Sequence, residues 1–384
     1  MTSTLSETNK NTPRRVEWLD VLRGIAVLWM IEVHLLDVGL MPILKQGWGY
    51  GKIDFYNGTV APIFLFCAGA SFWIACQNGK TSQQAGAYLK RLAFILFIAY
   101  WLNLPYLSFK HCLDIPLFSK NLFFASDILH TIVLSSLFAF IALRSKRSET
   151  KFLIFCMAWT LLVYWISPWV WNSELYKKLP LPLGLYFAPA PLSKFSLFPW
   201  MGHFFAGLSL VGFYQKTQKK LYFGLIVLLI SLASPTLIFF IKNFYTPSPT
   251  LYQNAQWWHV SPGHSLLRLS RVTLFFSLIS LYNLRFPLRG KISSFLKNIG
   301  RESLFYYVTH IAILYGTVVN KGLRAFGYGA WNWLGVLILY LFLIAFLYPM
   351  GQAWHEYKKN SPQQLKRILC FSFLLFALLF FMLP

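Results

Sequence analysis

The chain has 384 residues, of which 57% are hydrophobic and only 12% charged, with a mean hydropathy of +0.52. That balance excludes a soluble globular domain and defines an all-α, polytopic membrane protein. The formal charge of +23 invites a nucleic-acid reading. Its basic residues sit in short loops between apolar runs, however, with no soluble basic domain to present them, so nucleic acid is excluded as a partner.

In chain order, residues 1–15 read as a disordered cytoplasmic leader and residues 16–384 as a single transmembrane domain. The first apolar run is not a signal peptide, because it carries charges and lacks a small-residue cleavage pattern. About eleven spans are expected, near 18–40, 57–76, 89–107, 125–143, 152–171, 196–214, 221–241, 266–284, 303–320, 331–350 and 368–384. Each is close to the ~20 residues a bilayer requires. Alternate loops then carry 22 lysines and arginines on the N-terminal side and 10 on the other, with Arg23, Arg268 and Arg271 inside spans. The positive-inside rule places the N-terminus in the cytoplasm and, with an odd number of spans, the C-terminus outside. The expected location is the inner (plasma) membrane, with the bilayer as a partner and a homodimer left open.

The first span, Trp18 to Leu40, contains Asp20, Arg23, Glu32, His34 and Asp37. Each strong charge near a bilayer centre costs about 2.5–3.5 kcal/mol on insertion scales, so a passive anchor avoids them. At about 100° per residue, Arg23 and His34 share a stripe, separated by about 16 Å of rise. Asp20 and Asp37 lie on it too, whereas Glu32 faces away. Later spans add polar residues at the same expected outer depth: Asp127 and His130 on the fourth, Trp200 and His203 on the sixth, Arg268 and Arg271 on the eighth. So many ionisable groups imply a wet cavity opening outward. Each of these residues taken singly is equally compatible with an interfacial cap.

Two outer loops are long, Ser167 to Pro199 and the stretch before the eighth span, which includes Trp257 and Trp258. Loops of this length are more often binding surfaces or lids than connectors. The tandem tryptophans suit stacking on a sugar ring or an interfacial belt. The five cysteines, Cys67, Cys76, Cys112, Cys156 and Cys370, form no CxxC pair. Neither a disulfide framework nor a structural zinc site is expected, and no metal. There is no Walker loop, HExxH or GxSxG motif, and no internal repeat.

Five blocks in order carry a family likeness: RVEWLDVLRGIAVLWMIEVHLLDVGL (15–40), APIFLFCAGASFWIA (61–75), DILHTIVLSSLFA (127–139), FPWMGHFFAGLSLVG (198–212) and IGRESLFYYVTHIAIL (299–314). Together they resemble the heparan-alpha-glucosaminide N-acetyltransferase catalytic-domain family. The wider superfamily of transmembrane acyltransferases, including the type 3 enzymes, shares an Arg, ten residues, then a His on its first helix, here Arg23 and His34. The resemblance implies transfer of an acyl group, foremost acetyl, from cytoplasmic acyl-CoA to an amine or hydroxyl of an extracytoplasmic sugar or glycan.

Residue chemistry fits that expectation. A histidine titrating near pH 6.5 suits a general base, which makes His34 the first candidate, and a covalent acyl-imidazole is the other option. Asp127 or His130 would orient it or the acceptor. An arginine fork favours phosphate oxygens, so Arg23, Arg144 and Arg147 are the candidates for holding acyl-CoA. Arg268, Arg271, His203, Trp257 and Trp258 are the candidates for the acceptor. The alternative from another class is a proton-coupled transporter or exporter that uses the same charges as a relay. Against it stands the absence of paired broken helices in matching halves.

Overall fold

The computed structural model describes residues 16–78, 84–145, 148–244 and 257–383. The expected leader and Arg147 lie outside them, as do the side chains of Trp257 and Trp258. The longer helices are α1 (Glu17–Gly39), α2 (Trp48–Asn57), α3 (Val60–Gln77), α4 (Ala85–Leu102), α5 (Ile128–Ser145), α6 (Glu149–Asn172) and α7 (Leu197–Lys216). They continue with α8 (Lys220–Phe244), α9 (Pro262–Arg285), α10 (Lys291–Arg301), α11 (Ser303–Leu314), α12 (Trp333–Asn360) and α13 (Pro362–Met382). No strand forms among the described residues. The protein is therefore an all-helical polytopic membrane protein.

Every expected span meets a helix, yet eight segments among the described residues are long and apolar enough to cross a membrane, α2 and α3 counting as one. The other three, α1, α7 and α11, depart for separate reasons. Charges dilute α1; glycines, Trp200 and His203 dilute α7; and α11 has only 12 residues. The expected span 303–320 stops at Leu314 because Gly316 and Gly322 take positive φ, 86° and 67°, and turn the chain. Only glycine enters that region without steric cost. This early stop puts Tyr315 at the helix end. A second departure is α2, a helix that precedes the expected span 57–76.

Two glycine crossings set the core. Gly69 of α3 lies against the Phe204 carbonyl of α7, and Gly207 of α7 against the Phe66 carbonyl of α3. Gly24 of α1 likewise meets the Leu296 carbonyl of α10, while Gly300 of α10 meets that of Asp20. Without a hydrophobic driving force between helices in lipid, small residues that let backbones approach replace it with dispersion contacts. Around the α3–α7 crossing, Phe66, Trp73, Tyr164, Phe204 and Phe205 are fully buried. By contrast α8, α12 and α13 expose rows of Leu, Ile and Phe, as expected of surfaces facing lipid.

Alternation along the chain gathers like ends. The ion pairs Lys297–Glu17 (3.1 Å), Lys216–Glu149 (2.6 Å) and Lys358–Glu302 (2.6 Å) share the end that bears the basic loops. The opposite end collects the last turns of α1 and α11 with the first turns of α5, α7 and α9. The long loop between α6 and α7 folds back there and is stitched to the start of α5. Ser126 donates its N–H to Ser193 Oγ (3.1 Å) and its hydroxyl to the Phe195 carbonyl (2.7 Å). Phe195 N–H in turn donates to the Ser126 carbonyl (3.1 Å).

Candidate active site

His34 stands one turn above Ile31 on α1, only partly covered. Its Nδ1 lies 3.0 Å from the Tyr315 hydroxyl, which donates to Asp37 Oδ2 at 2.6 Å. A tyrosine has one hydroxyl proton. Because Asp37 takes it, the oxygen can only accept from His34, so Nδ1 carries the N–H and Nε2 presents its lone pair. Asp37 is one turn beyond His34 and therefore on its face. The result is a His34–Tyr315–Asp37 relay that fixes the ring and its tautomer.

A second histidine abuts the first. The His310 ring of α11 sits 5.2 Å from that of His34, centroid to centroid. Its Nδ1 is 2.7 Å from the Tyr306 carbonyl, which can only accept, so here too Nδ1 holds the proton. His310 Nε2 is buried without a hydrogen-bond partner. Tyr307, whose ring is 5.8 Å from that of His310, donates to Asp127 Oδ2 at 2.6 Å. Asp127 also accepts the Ile128 N–H on Oδ1 at 2.7 Å, closing the start of α5.

His130 differs in tautomer. The Asp127 N–H donates to its Nδ1 at 3.2 Å, leaving the proton on Nε2, which is buried without a partner. Its ring packs edge-on against Tyr100 at 4.5 Å. Neither His130 nor Asp127 bonds to His34 directly. The group that orients His34 is Asp37 through Tyr315, and from α11 the His310 ring reaches it, with Tyr307 beside His310. Sequence reasoning placed Asp37 on the right stripe but gave it no role, and it missed Tyr315. The available signal was Tyr315's position immediately after the last family-like block.

At the other end of α1, Arg23 Nη1 donates to Asp20 Oδ1 at 3.2 Å and Nη2 bonds to Ser71. Asp20 is 3% exposed, so Arg23 neutralises a buried carboxylate of its own helix. Arg144 is exposed at the end of α5, its guanidinium 4.6 Å over the Phe140 ring. Glu32 faces away from His34, as expected. It bonds to the Asn57 side chain and lines an apolar groove of about 670 Å³ with Trp29, Tyr56, Trp333 and Tyr340.

The second cluster lies between α6, α7 and α9. Arg268 is 7% exposed, its guanidinium 4.9 Å over the Trp200 ring. The Trp200 ring lies 5.9 Å from His203, and His203 lies 5.2 Å from Tyr164. One turn on, Arg271 stacks 3.8 Å over Phe55 and donates to its carbonyl at 2.9 Å and to Thr59 Oγ1 at 3.3 Å. The structure thus groups Arg268, Arg271, His203 and Trp200, which come from distant parts of the chain. Among the described residues, no group of three or more His, Cys, Asp or Glu is placed to hold a metal ion.

The structure thus sets a histidine–tyrosine–aspartate relay within a polytopic helical bundle. Residues 15–244 match the family described as heparan-alpha-glucosaminide N-acetyltransferase, catalytic. The match covers more than half of the chain, and the protein belongs to that family, one of transmembrane acetyltransferases. No individual curated protein matches the chain. The matched region holds Arg23, His34, Asp37, Asp127, His130 and His203. Arg268, His310 and Tyr315 lie beyond it, joined to it only by the fold.

Proposed function

We propose that this protein moves an acetyl group from cytoplasmic acyl-CoA to an amine or hydroxyl of an extracytoplasmic sugar or glycan, with His34 as general base. The observation that carries this reading is the His34–Tyr315–Asp37 relay, which leaves a lone pair on His34 Nε2. An acceptor N–H or O–H attacking the thioester carbonyl loses its proton to Nε2. A C–N or C–O bond forms, the C–S bond breaks, and coenzyme A leaves as the thiol after reprotonation. Imidazolium formation is stabilised by Asp37 through the tyrosine hydroxyl, the part a carboxylate plays behind a catalytic histidine.

Arg23 is the donor-side residue in this reading, about 16 Å along α1 from His34. It would meet phosphate or pantetheine oxygens while keeping its bond to Asp20, with Arg144 at the basic end for the nucleotide and Arg147 a further candidate from the sequence. Arg268, Arg271 and His203 would face the acceptor, with Trp257 and Trp258 as further candidates from the sequence. Asp127 and His130 support the site through Tyr307 rather than by contact with His34. The N-terminus lies in the cytoplasm in this arrangement.

The test is release of free coenzyme A by purified protein in detergent, supplied with acetyl-CoA and a panel of amino sugars and glycans, with labelled acetyl followed into the acceptor. Acceptor-dependent release that disappears in His34→Gln is the expected result. No consumption of acetyl-CoA by folded protein with any acceptor, together with proton-driven solute uptake in proteoliposomes, would replace this reading with a transporter.

A further inference from the structure

We propose that Arg268, with Tyr164, His203 and Ser265, forms a buried binding site for an anionic group of the acceptor, a carboxylate, phosphate or sulfate oxyanion. This inference rests on the acyl-transfer reading and names the substrate class that the reading leaves open.

The argument begins with the missing counter-ion. Arginine stays charged in proteins, and a buried charge is stable only when paired and hydrogen-bonded. Arg268 is 7% exposed, and its Nε and Nη1 are buried without a hydrogen-bond partner. Nη2 of Arg271 is also buried and unpartnered. Among the described residues neither arginine forms an ion pair. Several carboxylates are engaged elsewhere, Asp20 by Arg23, Asp37 by Tyr315, Asp127 by Tyr307, Glu149 by Lys216 and Glu302 by Lys358, and Asp54, beside Phe55 on α2, is exposed and forms no ion pair with either arginine. Glu32 lines the groove on the far face of α1.

The neighbours of Arg268 are suited to an oxyanion. The Tyr164 hydroxyl and Ser265 Oγ are buried without hydrogen-bond partners, and His203 is fully buried between Tyr164 and Trp200. Hydroxyls and a ring N–H can donate to an anion, and hydrogen bonds to an ionised acceptor are about twice as strong as neutral ones. The Trp200 face under the guanidinium holds the cation by its ring quadrupole without neutralising it. On α9, Ser265 and Arg268 are three residues apart, as are Arg268 and Arg271, so one face presents all three. Arg271 is anchored by Phe55 and Thr59, which adds positive potential beside Arg268.

Thermal unfolding of the full chain in detergent tests this, with sodium glucuronate, phosphate or sulfate titrated against sodium chloride at equal ionic strength. A parallel arm uses mixed micelles containing phosphatidate. In wild type, the unfolding temperature should rise saturably with the oxyanion. Arg268→Gln should unfold without ligand at the same or a higher temperature than wild type, because an unpaired buried charge has gone, and should bind at least tenfold more weakly. Tyr164→Phe, which keeps the ring, should weaken binding without loss of fold and serves if Arg268→Gln does not express. A rise with glucuronate alone identifies an acidic sugar, and one with phosphatidate alone a lipid phosphate. No oxyanion-specific rise in wild type, or an unchanged rise in both variants, overturns the proposal. In that case, His34-dependent transfer to a neutral amino sugar would leave the acyl-transfer reading standing. Oxyanion binding without any acetyl transfer would remove the acyl-transfer reading alone.

Discussion

Tyr315 and His34, 281 residues apart in sequence, meet at 3.0 Å between hydroxyl oxygen and Nδ1. The same hydroxyl donates to Asp37, one turn from His34, so a residue of α1 reaches its own helix neighbour through a residue from the end of α11. Removing the hydroxyl should therefore act on the base rather than on the fold. Tyr315→Phe is expected to lower the acetyl-transfer rate about 10- to 100-fold with the unfolding temperature nearly unchanged. Asp37→Asn should act similarly, and the double variant should lose no more than the worse single one, since residues in one network are not additive. Additive losses in steady-state kinetics would separate the two residues.

For His34 itself, loss of a general base costs about 10² to 10⁴ in rate. His34→Gln retains shape and hydrogen bonding, so it should fold and bind acetyl-CoA while transferring at the bottom of that range or below. Near-normal transfer by a stable His34→Gln protein would give His34 a packing role only.

Arg23 pairs with Asp20 and is the proposed donor-side residue, and one variant cannot separate the observed role from the proposed one. Arg23→Gln takes the guanidinium away from the buried Asp20 carboxylate, a loss of about 3–5 kcal/mol for a fully buried pair and less here because Arg23 is one-fifth exposed. The single variant should lose stability and raise the KM for acetyl-CoA. Adding Asp20→Asn should restore the unfolding temperature but not the KM. Recovery of both would make the arginine a purely structural partner.

The α3–α7 crossing has no room for a side chain. Gly69→Val or Gly207→Val should lower the unfolding temperature sharply, because overpacking costs about 1–3 kcal/mol even where side chains can shift and here the obstacle is a carbonyl. Gly86, which has open space around it, is the control, and Gly86→Val should change little. Fluorescence-detected size-exclusion chromatography after heating reads the difference.

The membrane orientation is testable separately. Reporter fusions at residue 1 and residue 384 should report the cytoplasm and the opposite side, respectively. Both termini on one side would show that a helix among α1, α7 and α11 does not span.

Composition and loop charge were enough to read a polytopic helical protein, because a bilayer demands about 20 apolar residues per crossing and leaves that demand in the sequence. The charged stripe on α1 was legible for a similar reason: helical periodicity places Arg23, His34 and Asp37 on one face without any tertiary information. Family membership was legible in the five blocks, the first four of which fall inside the matched region. What tertiary structure decided is who touches whom. The Gly316 turn that ends α11 at Leu314 brings Tyr315 to His34; the glycine is a helix-stop signal in the sequence, but nothing local says what the residue before it will touch. Asp127 is held by Tyr307, whereas depth alone suggested that it would orient His34 or the acceptor. Arg268 gains its surroundings from Tyr164, Trp200 and His203 on α6 and α7, all of them more than sixty residues upstream. Periodicity reports the face a residue occupies. A hydrogen bond depends on ångström-scale distances between faces, and those follow from the glycine crossings and helix ends that pack the bundle.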